Sequence, residues 1–116
     1  MYEIVLQAQS EAMDAIHAGV SAKDVDAIAR KILDKDYPNR FIHSLGHGLG
    51  LEVHDGGRLA PGSDLILEEG MVFTVEPGIY LRGYGGVRIE DNVIVTKNGV
   101  ELLTPAKKDE LIELSI

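Results

Sequence analysis

One imidazole and two carboxylates in this sequence stand in settings suited to holding a cation or moving a proton. His47 lies within Gly46-His47-Gly48-Leu49-Gly50, where the flanking glycines let the backbone approach a neighbour closely and confine the ring. In Met71-Val72-Phe73-Thr74-Val75-Glu76 the odd positions are Met, Phe and Val, so on a strand Glu76 points away from the apolar face. In Val87-Arg88-Ile89-Glu90-Asp91-Asn92-Val93 the odd positions are again mostly apolar, and Arg88, Glu90 and Asn92 share the other side. Glu90 therefore has the same disposition as Glu76. The segment between them, Pro77 to Gly86, contains Gly78, Gly83, Gly85 and Gly86 and is able to fold back so that the two carboxylates meet. Carboxylates that close repel unless a proton or cation lies between them, and His47 would complete the surroundings of a cation. Singly, each acid reads most simply as part of a solvated sheet face; the three together favour a shared site.

The elements that must position these residues follow from the hydrophobic pattern. Val5, Ala8, Ala12 and Ile16 form one apolar stripe over residues 3 to 18, with Gln7, Gln9, Glu11 and Asp14 elsewhere, which predicts a helix that Gly19 can end. His17, on its outer side, reads as a surface residue. Ser21 with Asp24 reads as a capping box and Val20 with Val25 as a staple for a second helix burying Val25, Ile28, Ala29, Ile32 and Leu33, stopped by Pro38. Beyond residue 40 short alternating runs separated by glycine-rich turns predict strands at Phe41 to Leu45, Met71 to Glu76, Gly86 to Val95 and Val100 to Leu103. Asn98-Gly99 is a strong hairpin signal between the last two. Lys107 to Leu114 suggests a short final helix. Two helices followed by an antiparallel sheet make an α+β domain spanning residues 1–116.

Composition narrows the function classes. The chain has 116 residues, enough for one core, with 45% hydrophobic and 26% charged residues, as in ordinary globular proteins. A formal net charge of −8 without a basic stripe argues against nucleic acid as a partner. No run approaches the about 18 apolar residues of a membrane span. The absence of cysteine leaves imidazole and carboxylate as metal donors. The opening Met1-Tyr2-Glu3 lacks the look of a secretion signal, so the expected location is cytoplasmic.

Three segments carry a resemblance to a known family: Phe41-Ile-His-Ser-Leu-Gly-His-Gly-Leu-Gly-Leu-Glu-Val-His-Asp55, Leu67-Glu-Glu-Gly-Met-Val-Phe-Thr-Val-Glu-Pro-Gly-Ile-Tyr80 and Gly85-Gly-Val-Arg-Ile-Glu-Asp91. Together they strongly resemble the pita-bread metallopeptidases, in particular Xaa-Pro dipeptidase (prolidase) and aminopeptidase P. The likeness covers nearly the whole chain, and the intervals of 29 residues from His47 to Glu76 and 14 from Glu76 to Glu90 are those at which the family places its His, Glu and Glu ligands. The resemblance implies the C-terminal half of a pita-bread catalytic domain. It implies a site of two divalent ions, manganese or cobalt first and zinc or iron as alternatives, held by two Asp, one His and two Glu. His47, Glu76 and Glu90 match the last three; the two Asp belong to the preceding half, and Asp55, Asp64 and Asp91 do not match them. Weak metal binding or none, and little or no peptidase activity, are expected of this chain alone.

The resemblance further implies hydrolysis of the peptide bond before proline by a hydroxide bridging the two ions. Glu76 would be a metal ligand and the general base, Glu90 would bridge the ions, and His54 would act on the scissile carbonyl oxygen or oxyanion. His43, His54 and Arg88 would contact a proline-containing dipeptide or peptide, with Arg88 also bracing the metal ligands. Tyr80 and Tyr84 would line the pocket or cover a core edge. Methionine aminopeptidase, which shares the fold and metal set, is the nearest alternative, although Arg88-Ile89-Glu90-Asp91 favours the proline branch. A pita-bread module that only binds peptides is an alternative of another class, and the presence of all three ligands argues against it. A half-domain would also expose apolar surface and so favour homo-oligomers.

Overall fold

A computed structural model describes residues 1–116 as two helices and seven short strands. The helices are α1, Tyr2–Ala15, and α2, Ala22–Asp36. The strands are β1 (Gly46–His47), β2 (Arg58–Leu59), β3 (Val72–Val75), β4 (Gly78–Leu81), β5 (Gly85–Arg88), β6 (Asp91–Val95) and β7 (Val100–Leu102). All pairings are antiparallel, in three small sheets ordered β1-β2, β3-β6-β7 and β4-β5. The α+β class is as expected, with three sheets in place of one. A single cluster joins Val5, Ala8, Ala12 and Ile16 of the first apolar stripe to Val25, Ala29 and Leu33 of α2 and to Phe73, Val75, Val93 and Val95 of the strands. Each fully buried aliphatic of Val or Leu size contributes about 1.5–3 kcal/mol.

Departures from the local pattern trace to tertiary hydrogen bonds. Helix α1 ends at Ala15, before Gly19, because the amide of Ala18 donates to Thr96 O and that of Gly19 to Leu67 O, drawing the chain out of the helix. Gly19, at φ +95°, serves the following turn instead. Ser21 is the N-cap of α2, yet no capping box forms: its side chain makes no cap bond. The Ser21 carbonyl accepts from the amides of Asp24 and Val25, and the Ala22 amide donates to Leu65 O. On α2, Ile28 and Ile32 are half-buried and Asp26 is buried in the same face as Val25 and Leu33.

Phe41 to Leu45 is not a strand. Arg30 donates to the carbonyls of Phe41 and His43, and the Leu45 amide donates to Asp26, so side chains of α2 take the bonds a neighbouring strand would have made. The Asn98-Gly99 hairpin forms between β6 and β7, closed by Thr96 N to Gly99 O. Lys107 to Leu114 forms no helix; the segment is tied down by the Tyr2 hydroxyl donating to Lys108 O and by the Lys108 ammonium on Asp91.

The expected strand from Gly86 to Val95 is broken, and the expected loop from Pro77 to Gly86 is largely β4 and its turn. Strands β3 and β6 pair as far as Val75 opposite Asp91, and β4 and β5 pair from Gly78 opposite Arg88. The two residues between them on each side are Glu76-Pro77 and Ile89-Glu90. Pro77 has no N–H for a ladder, and the Ile89 amide reaches only its carbonyl, at 3.4 Å. Both acidic residues therefore sit where one long hairpin changes sheets.

Candidate metal centre

His47 is seated by close backbone packing. A Cβ on Gly46 would collide with the Thr74 carbonyl, and one on Gly48 with the Asp55 carbonyl. Only glycine lets β1 lie this close to β3. The His47 amide donates to Thr74 Oγ1 at 3.0 Å, a contact that buries a threonine with no evident role in the sequence pattern. Glu76 follows β3 directly, with its amide on Leu45 O at 2.7 Å.

These constraints bring the three residues together. His47 Nε2 lies 3.4 Å from Glu76 Oε2, and the two side chains are only 14% and 17% exposed. His47 Nδ1 donates to the Gly48 carbonyl at 2.9 Å, so Nε2 is the ring nitrogen that faces Glu76. Glu90 is raised above the ordinary carboxyl pKa by burial first and by the Glu76 charge second, with Arg88 and His47 opposing. Arg88 Nε stands 3.7 Å from Glu90 Oε2. A cleft of about 220 Å³ borders the group, lined in part by His47, Thr74, Glu90 and Asn92.

As these side chains stand, no three His, Asp or Glu residues form a closed metal-holding cluster. The donor set fits a divalent ion all the same. An imidazole beside two carboxyls offers the nitrogen and oxygen donors that manganese, cobalt, zinc or iron take.

The other expected site residues form two groups. The His54 ring is 4.4 Å from that of His47 at 67°, on an exposed loop. His43 is farther along the chain of contacts: its Nε2 lies 2.7 Å from the Tyr80 hydroxyl, and Arg88 donates to that hydroxyl at 3.5 Å. The Tyr80 bond is the first cause of a raised Arg88 pKa. Tyr80 thus links His43 with Arg88, and with Tyr84 it lines a separate open cavity of about 620 Å³.

The family model for metallopeptidase family M24 matches residues 1–97. The chain belongs to metallopeptidase family M24. This M24 chain is 50% identical over 112 residues to an Xaa-Pro dipeptidase of Pyrococcus furiosus, covering 96% of the chain and 32% of that relative. Among solved structures it superimposes on an Xaa-Pro dipeptidase from Bacillus anthracis with a TM-score of 0.93 and 51% identity, over 97% of the chain and 32% of that protein. An X-Pro aminopeptidase from Thermotoga maritima gives 0.89 and 47%, over 93% and 31%. The M24 chain thus spans about a third of the length of these relatives, and its fold is that part of the pita-bread architecture. M24 is a family of dinuclear metallopeptidases. No helix of the chain is long and apolar enough to cross a membrane.

Two networks that hold the site escaped the pattern of residues. Asp26 and Arg30, an ordinary i, i+4 pair on paper, form a buried clamp on the segment leading to His47. Gln9, placed outside the apolar stripe by its polarity, is fully buried against the ends of the acidic strands. The only advance sign of either was a polar side chain beside the helix face that packs on the sheet.

Proposed function

We propose that this chain supplies His47, Glu76 and Glu90 to the dinuclear centre of an Xaa-Pro peptidase, and that the remaining carboxylates come from another segment or chain. The observation that carries the reading is the approach of His47 Nε2 to Glu76, with Glu90 beside them at one cleft. The names of the relatives support the proline branch over methionine aminopeptidase. Manganese or cobalt, with zinc or iron as alternatives, are the ions that the family resemblance implies. Bound divalent ions lower the pKa of water and polarise a carbonyl oxygen. Glu76, closest to His47, is the general base that accepts the proton of the attacking water. His54 donates to the oxygen of the scissile carbonyl as negative charge develops, worth about 10²- to 10³-fold. Arg88 orients Glu90 and, with His43, bounds the place of the proline-containing peptide. The cytoplasm is the proposed location, and uncovered apolar surface such as Ile42, Leu51 and Val53 favours self-association.

Calorimetric titration with manganese is expected to show weak binding that Glu76→Gln and Glu90→Gln each weaken further. Affinity unchanged in Glu90→Gln would count against Glu90 as a ligand. Xaa-Pro dipeptides are expected to be turned over little or not at all by this chain alone. Robust turnover would show the centre to be complete without another segment.

A further inference from the structure

The two acidic strands meet a third party, and it is a glutamine. Gln9 lies on α1 between Ala8 and Ala12 of the packed face, with no exposed surface. Its Nε2 donates to Val75 O at 3.1 Å, to Ile89 O at 3.3 Å and to Asp91 Oδ2 at 3.0 Å. All three partners are acceptors, so the amide nitrogen must face them, one of its two hydrogens being shared. Val75 immediately precedes Glu76, and Ile89 immediately precedes Glu90. One amide group therefore grips the peptide ahead of each carboxylate, at the place where the hairpin changes sheets and the ladder lapses.

Packing alone does not explain a glutamine there. Its Oε1 is buried without a partner, which costs stability, while its Nε2 satisfies the carbonyls that the lapsed ladder leaves open. We infer that Gln9 is a positioning residue, which fixes the spacing of Glu76 and Glu90 through their backbones so that both face one cation. The inference rests on the metal-centre reading above. Groups that orient ligands without touching the metal commonly change affinity by about 10- to 100-fold, and Gln9 acts one step further back, through the main chain.

The test compares the chain with Gln9→Leu, which keeps the bulk and removes the donor, and with Ile16→Val, which removes one buried methyl at the C-cap of the same helix and no donor to Val75, Ile89 or Asp91. Manganese affinity is measured by calorimetry at a temperature where all three are folded. Gln9→Leu is expected to bind about 10-fold more weakly. Ile16→Val should lower the melting temperature but leave affinity within twofold. Equal affinity of Gln9→Leu and the parent overturns the positioning role, as does a loss in Ile16→Val equal to that in Gln9→Leu. A second measurement needs no metal: the carbonyl carbon NMR shifts of Val75 and Ile89 should both move in Gln9→Leu, and unchanged shifts overturn the inference. Where the parent chain binds no manganese, the carbonyl shifts alone decide the positioning role: moved shifts support it and unchanged shifts overturn it.

Discussion

His47 presents Nε2 to the Glu76 carboxylate across 3.4 Å while its Nδ1 hydrogen is held on the Gly48 carbonyl at 2.9 Å. The bond to Gly48 thereby fixes the direction of the ring, as the metal ligand proposed above would require.

Divalent metal should stabilise the fold through this pair. At a hundredfold excess over its Kd a ligand of the native state adds about 2.7 kcal/mol, readable as a rise in melting temperature with manganese. His47→Ala is expected to lose most of that rise. Equal rises in the two proteins would show that His47 is not a ligand.

The acidity of Glu90 gives a pH signature in metal-free protein. Folding raises this carboxyl above the ordinary 4.5, so its favourable contribution is full below about that value and is lost as pH climbs through the raised one. Glu90→Gln should therefore leave stability unchanged at pH 4 and increase it at pH 7. The gain should stay below about 1 kcal/mol, since the side chain is 41% exposed and solvent screens it. Melts in a chelator at both pH values check this; a loss at pH 7 would contradict it.

Asp26 should matter more for stability than any exposed acid. Its side chain is 1% exposed and receives Arg30 and the Leu45 amide. Asp26→Ala strands both donors and should cost about 3 kcal/mol, measured by urea denaturation. Hydrogen exchange at the Leu45 amide should accelerate alongside.

Two glycines should respond oppositely to alanine. Gly46→Ala drives a methyl into the Thr74 carbonyl and should cost about 3 kcal/mol. Gly62 has open space around it and an unexceptional φ, so Gly62→Ala should be neutral or stabilise by up to about 1 kcal/mol. Thermal melts separate the two.

The helix stripes, the run of β3 and the Asn98-Gly99 turn were legible because each is a local rule: a period, an alternation, a dipeptide. The approach of His47 to Glu76 was legible through family spacing. What stayed hidden depends on partners remote in sequence. Gln9 differs from Gln7 in nothing but what faces it, and Phe41 to Leu45 looks like a strand because only α2, through Asp26 and Arg30, supplies the bonds that replace a ladder. The break at Ile89-Glu90 follows from Pro77, twelve residues away from Ile89, so neither run reveals it alone. Lys107 to Leu114 has helical spacing, but the bonds of Lys108 to Tyr2 and Asp91 hold it otherwise.

The contact between Gly46 and Thr74 separates inheritance of shape from inheritance of chemistry. A descendant without the proposed metal centre would be free to exchange His47, Glu76 and Glu90, yet it would still be compelled to keep a residue without a side chain at position 46. Among distant cousins, a retained glycine there would testify only to a shared scaffold, while the neighbouring histidine would track the chemistry proposed for it.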